Sequence, residues 1–471
     1  PEKLLNQQLD YSQPLPDPDL KNGKTVIYGR ILGYDPTHGI ALKFNCTDWL
    51  FFDVFGQSVP VVEDGSFRYE TNMMLPGEAT LRVGRKRFEL FLMPGGKLEV
   101  TINLPEIFWS ESHLFGKKEN GQLIWFEGTY AALNTELVKH AGLMNIYSAD
   151  NFYENICGVT PAQYKKYVTK IYEKNRGEIL KNKSLSDAAR TYMINKLEMS
   201  YFFAIRGYKG NISYAPMISG KKGVKRADMT VDESYYDDIL ELDFIHSPYI
   251  RYGSYPDFVR AATEDFKGKF EPQPVWEDIL RAKPLGSTLA RLKPLSEKQM
   301  LTLDSISEPE IKKALTVKNK EVMDLLAESA NKTGYTVCQL DTAVTADGLL
   351  AVVTRPYRGK VVLIDMWNTW CGPCMRAMNS LKSVKEELKD VVYVYIADES
   401  SPEGKWKITI PDIHGIHYRI TNEQSSALGK LYEYPGIPTY FVIDREGKLS
   451  YKVTGFPGAE VMKEELLKAG K

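Results

Sequence analysis

Charge imbalance is almost absent from this sequence: 60 Lys and Arg stand against 61 Asp and Glu over 471 residues, a formal net of −1. No overall field draws the chain to nucleic acid or to an anionic lipid surface, so neither is expected as a partner. The small basic cluster Lys221, Lys222, Lys225 and Arg226 is broken by Gly223 and reads as a solvated loop. Long apolar runs are missing as well. "KVVLIDMW" and "VVYVYIAD" have the length of buried strands and fall far short of a bilayer span, so no transmembrane segment is expected. The chain opens on Pro1 without the basic, apolar, cleavage-site pattern of an export leader, so any such signal was removed or never existed. Cysteine is scarce: five thiols are too few to staple a chain of this length. Cys46, Cys157 and Cys338 stand singly and read as small packing residues, and an odd total leaves at least one unpaired.

Hydrophobic residues at 43% and charged residues at 26% describe an ordinary globular protein, and the length asks for two or three domains. Residues 1–24, with "QPLPDPDLKNGK", form an extended lead-in. From 25 to 105 short strands are expected, with Leu98, Val100 and Ile102 alternating against Glu99, Thr101 and Asn103. The turns "EDGS" and "PGG" fit a small antiparallel, all-β sandwich. Residues 106–334 read as a mainly helical domain. Thr160, Pro161 and Gln163 make a capping box, Ser296 and Gln299 a second, and a later helix is expected to end at Gly334. Residues 335–471 read as α/β: "VVLIDMW" a strand, Met375 to Leu388 a helix, "VVYVYIA" a parallel strand, then helix, strand, "DREG" hairpin, strand and closing helix.

The chemistry concentrates in "NTWCGPCMR", residues 368–376. A structural zinc site needs four ligands, and only His414 and His417 offer themselves, so no metal is assigned; copper is the version of that reading the thiolate and imidazole suit best. A permanent bridge over a two-residue spacer removes little unfolded-state entropy. Electron transfer uses every feature. Cys371 falls where a strand gives way to a helix, whose N-terminus favours thiolate and makes it the nucleophile. Cys374, one turn in, is placed to resolve a mixed disulfide. The dithiol would be the only redox centre, with no further cofactor. The leading sulfur is expected to face solvent and its mate to sit behind it.

"WCGPC" after "VVLIDMW", followed by "GIPTYFVIDREGK", resembles a thioredoxin fold of the TlpA-like disulfide oxidoreductase group over residues 335–471. The resemblance implies a disulfide reductase and makes Pro438 a cis proline facing the cysteines, with the Ile437 backbone and Thr439 beside a bound peptide. It makes Asp365 the buried acid that exchanges a proton with Cys374. Trp370, Gly372, Pro373, Gly455 and Phe456 would line a shallow groove. Burial inside an apolar strand independently points to a raised Asp365 pKa. The Gly-Pro spacer favours reduction by analogy with thioredoxins, whose potential lies near about −270 mV against about −120 mV for a strong oxidant.

The sequence departs from that pattern in three places. Asn379 stands where thioredoxins often carry a helix-kinking proline, so a straighter helix is expected. No lysine in "VVYVYIADES" answers the buried acid. Ser401 to Ile420 lengthens the path as a helix-and-strand insert does in TlpA-like proteins. Asn368 stands where a peroxidase site would need Thr or Ser, which argues against that chemistry. The front of the chain, with "VEDGSFRYE", "LMPGGKLEVTINL" and "FEGTYAALNTEL", resembles regions preceding such domains in bacterial envelope proteins. That likeness implies a periplasmic or envelope location, one form of which is a lipid anchor lost on trimming. It also implies disulfide-containing protein substrates and an upstream thiol reductant, for which a membrane-bound donor is one candidate. The rival from another class is an envelope binding protein whose thiols are incidental.

Overall fold

A computed structural model describes residues 8–46, 50–51, 57–111, 121–224, 228–252 and 255–471. Half of the basic cluster, Lys225 and Arg226, and residues 1–7 of the lead-in lie outside the described residues. The chain divides into two compact units, Pro1–Ser287 with Thr302–Ala314, and Thr288–Leu301 with Leu315–Lys471.

The first unit holds two four-stranded sheets. One runs in the order β4 (Ser66–Met73), β1 (Gly23–Leu32), β7 (Lys97–Asn103), β8 (Ile124–Gly128); the other β3 (Gln57–Val59), β2 (Leu42–Cys46), β5 (Gly77–Val83), β6 (Lys86–Leu92). Alternating residues of both sheets, among them Ile27, Phe44, Leu81, Leu90, Val100 and Phe126, share one buried cluster. The arrangement departs from the expected all-antiparallel one, because β1 pairs with β7 in parallel. Gly29 lets those strands meet: a Cβ there would stand 1.8 Å from the Val100 carbonyl oxygen. The sheet also takes β8 from beyond residue 105. Helices follow, including α1 (Pro161–Lys181) and α2 (Asp187–Arg206), and the Thr160 capping box forms with Gln163 reciprocally.

In the second unit six strands order as β14 (Leu449–Thr454), β13 (Thr439–Ile443), β10 (Val362–Met366), β11 (Val392–Asp398), β12 (Gly415–Ile420), β9 (Tyr335–Cys338). β10, β11, β12 and β9 run parallel to one another, and β13 and β14 form the expected antiparallel hairpin. Ser296 and Gln299 cap α3 (Glu297–Asp304) as expected. The next helix, α4 (Pro309–Ala330), stops at Ala330, four residues before the expected stop at Gly334. That glycine serves instead at φ +93°, with the His414 ring where a Cβ would go. After α5 (Ala346–Thr354), the segment expected as one helix from Met375 to Leu388 divides into α6 (Gly372–Ser380) and α7 (Lys382–Glu387). Lacking a proline at Asn379 does not keep it continuous, because the chain turns at Leu381. The insert forms α8 (Glu403–Thr409) and β12, and α9 (Asn422–Leu431) and α10 (Ala459–Ala469) complete the unit.

Candidate active site

Every residue of β10 is buried. Side chains alternate across a strand, so Val362, Ile364 and Met366 enter one core, while Leu363 and Trp367 enter the other together with Cys371 and Cys374. The same alternation puts Asp365 on the cysteine side of the sheet.

Cys371 and Cys374 are joined as a disulfide. Cys371 is the N-cap of α6, and its Sγ accepts the Cys374 amide at 3.2 Å. A thiolate left there on reduction would meet a free amide and the positive end of the helix. The expected outward face of the leading sulfur is met in order only. In the disulfide Cys371 is 4% exposed and Cys374 not at all, because both belong to the buried cluster against which Ile437 and Phe456 pack. Trp370, by contrast, is 53% exposed, its indole donating to Ser400 Oγ at 2.9 Å, and Gly372 and Pro373 are exposed.

The loop before the helix is braced from behind. Buried Asn368 accepts from the Asp398 amide at 3.1 Å and the Ser401 hydroxyl at 2.8 Å, and Ser401 Oγ in turn accepts the Thr369 amide at 3.0 Å.

Asp365 is 1% exposed and neither carboxylate oxygen has a hydrogen-bond partner. Burial pushes its pKa up to about 8, and the Lys385 ammonium pulls the other way. Lys385 comes from α7, donates to Tyr395 Oη at 3.0 Å and to the His414 carbonyl, and sits about 5 Å from the rings of Tyr393 and Tyr395. Its own pKa is drawn down to about 8 by burial, with Asp365 opposing. In register, Tyr395 and Tyr440 flank Asp365 on β11 and β13. Sequence reasoning, looking for a lysine on β11, missed this one. The readable signal was its spacing: Met378, Leu381 and Lys385 fall at i, i+3 and i+7, a cation on the apolar stripe of a helical segment.

The Ile437–Pro438 bond is cis. The Pro438 carbonyl accepts the Gly455 amide at 2.8 Å, whereas the Ile437 backbone has no backbone partner among the described residues. Thr439 is fully buried and its hydroxyl is held by Gly436 and Thr454, so its side chain is not open to a bound peptide. Gly455 takes φ +83°, and half-buried Phe456 lies 6.1 Å from the Tyr440 ring. Among the described residues no three His, Cys, Asp or Glu cluster as a metal site. The His417 ring meets the Ile413 carbonyl at 2.7 Å, and burial pushes it down to about 4.

Residues 359–449 match the Thioredoxin-like family model. Curated relatives include the thiol-disulfide oxidoreductase ResA of Bacillus thuringiensis subsp. konkukian, 24% identical over 114 residues covering 24% of this chain and 66% of the relative. ResA of Geobacillus thermodenitrificans is 29% identical over 113 residues, 23% of this chain and 63% of its own. The thiol:disulfide interchange protein DsbE of Pseudomonas aeruginosa is 24% identical over 109 residues, 23% and 59%. The chain thus spans roughly three-fifths to two-thirds of the length of these relatives. A solved DsbE-type protein of Chlorobium tepidum aligns at 24% identity over 24% of this chain and 83% of its own, with a TM-score of 0.21. The C-terminal region is thioredoxin-like, and its relatives are thiol-disulfide oxidoreductases of the ResA and DsbE type.

Proposed function

We propose that this chain is a thiol-disulfide oxidoreductase working as a reductase, and the observation that carries it is the Cys371–Cys374 pair capping α6. Reduced Cys371 attacks a partner's disulfide and holds half of it as a mixed disulfide. Cys374 then attacks Cys371, releasing the partner's second sulfur as a thiol. Asp365, on the same side of the sheet, takes the proton that Cys374 gives up. The unpaired Ile437 backbone offers a bound peptide strand-like hydrogen bonds, with Trp370, Pro373 and Phe456 around it.

The substrates in this reading are disulfide-bearing proteins, the electrons come from an upstream thiol reductant, and the place of work is the periplasm or cell envelope. Among the described residues no helix is long and apolar enough to cross a membrane. The first unit presents the redox unit or selects its partners.

The test is insulin reduction by the full chain and by Cys371→Ser. Turnover in the parent and its loss in the variant are expected; equal rates in both, or none in either, would favour a binding protein. Cys374→Ser should in turn retain its target covalently on Cys371, identifiable by mass spectrometry.

A further inference from the structure

Charge in this chain balances overall but not locally. Between Glu198 and Asp228 the sequence holds six basic residues and no acidic one. That stretch contains a helix of the first unit, Tyr208–Ser219, which carries no Asp or Glu of its own. The helix is firmly seated. Its inner face buries Tyr208, Ile212 and Ala215, at i, i+4 and i+7. Asn211 donates to the hydroxyls of Tyr147 at 3.2 Å and Tyr164 at 2.8 Å, and the Tyr208 hydroxyl donates to the Met229 carbonyl.

The outer face breaks the usual pattern of a surface helix. Where polar side chains are expected, Tyr214, Met217 and Ile218 stand at i, i+3 and i+4 and are 59%, 71% and 53% exposed. Gly210 and Ser213 complete that face and are exposed as well. Cations frame it at both ends. Lys209 lies at the start, its ammonium 5.8 Å from the centre of the Tyr208 ring. Gly220 ends the helix at φ +69°, and the exposed Lys221 and Lys222 follow at once. Lys221 donates to the Glu154 carbonyl at 3.2 Å, and Glu154 is the one acid in the short helix Phe152–Asn155 that packs alongside. Arg206 is paired with Asp265 and belongs to a different surface.

We propose that this face docks on a membrane surface rich in anionic lipid, with Tyr214, Met217 and Ile218 at the boundary of headgroups and acyl chains and Lys209, Lys221 and Lys222 against the phosphates. A helix lying in the interface has this division, apolar residues on the outward face and cations on its flanks. Charge complementarity decides the occupant. In a symmetric pairing of two copies the same patch meets itself, which would bring the lysines of one copy toward those of the other. A bilayer containing phosphatidylglycerol offers instead a negative surface with an apolar layer beneath it, and attracts each lysine held near it.

A few side chains of one helix do not anchor a protein irreversibly, so the attachment is peripheral, reversible and sensitive to salt. The balance of the whole chain, which gave no reason to expect a lipid partner, averages this stretch with acidic ones elsewhere. The contact uses neither Cys371 nor Cys374, and insulin reduction in solution should not respond to it.

The experiment is cosedimentation of the full chain with vesicles of phosphatidylethanolamine and phosphatidylglycerol, and with vesicles of phosphatidylcholine alone, at low and at high salt. Sedimentation with the anionic vesicles at low salt, release at high salt and none with the neutral vesicles are expected. Lys221→Ala with Lys222→Ala should weaken binding on the order of tenfold, and Met217→Ser with Ile218→Ser by at least as much. All four side chains are exposed, and an unchanged thermal melt checks that each variant folds; should the serine pair melt early, Tyr214→Ser takes its place. Equal binding to both kinds of vesicle, no binding to either, or undiminished binding by either variant overturns the proposal. So does a dimer in sedimentation velocity that Met217→Ser with Ile218→Ser disperses, which would give the face to a second copy. Insulin reduction by every variant should equal the parent's, so failure here leaves the oxidoreductase reading standing.

Discussion

Burying Asp365 with neither oxygen hydrogen-bonded works against the folded state whenever the carboxyl ionises. Its pKa rises from 3.8 toward about 8, so the folded protein keeps a proton that the unfolded chain releases. This group's contribution is therefore fully present below the unfolded value and is lost as pH climbs through the folded one. Asp365→Asn should stabilise the oxidised unit by on the order of 5 kcal/mol near pH 8.5 and by little near pH 4. Hydrogen-exchange protection of the β10 amides reads this directly, and equal protection of parent and variant at both pH values would contradict it. That Asp365 would be buried was legible, because it interrupts a run of apolar strand residues. That Lys385 would answer it was not. The two are 20 positions apart, and the lysine's charge acts on the acid only through the fold, a tertiary relation that strand-by-strand reading does not contain.

At the scale of elements, α9 shows how one side chain can serve two structures. Thr421 and Gln424 form a reciprocal capping box, as the Thr-x-x-Gln spacing at 421 to 424 allows. Gln424 is also buried, and its amide nitrogen donates to the carbonyls of Asp341 and Val344 in the segment leading to α5. Thr421→Ala should destabilise by about 1 kcal/mol, the ordinary effect of losing a cap. Gln424→Ala should cost about 2–3 kcal/mol, since two more carbonyls lose their partner. Urea titration of the two variants orders them, and equal losses would show the second set of bonds to be inconsequential. Strands and hairpins were the most legible elements, because period-two alternation and the DREG turn are local signals. The parallel β1–β7 pairing and the break at Leu381 were not, since each is decided by what the segment packs against.

At the scale of the whole molecule, the second unit gathers more chain than its thioredoxin-like part alone. It includes Thr288–Leu301 and the end of α4 as well as residues 335–471. Gly404 in α8 lies so close to this segment that a Cβ would stand 1.9 Å from the Leu292 carbonyl oxygen, and the Leu295 amide donates to Asn319 Oδ1 at 2.9 Å. Lys332 pairs with Asp412 at 2.8 Å. A fragment beginning at residue 335 loses all three. A fragment beginning at residue 288 should therefore resist thermolysin longer than one beginning at 335; the reverse order would make the added segment dispensable. Composition shifts mark where helix gives way to α/β, but they carry no sign of an earlier stretch folding back onto a later one.

Trp370 is tethered by its indole nitrogen, open to water, and next in sequence to Cys371. A disulfide is a good electron acceptor for an excited indole, so this ring is an optical gauge of its neighbour. Emission should brighten as the bridge opens, and the gain should shrink in Trp370→Phe. Each turn of the cycle could then be followed by light, with no dye attached and no substrate consumed to see it.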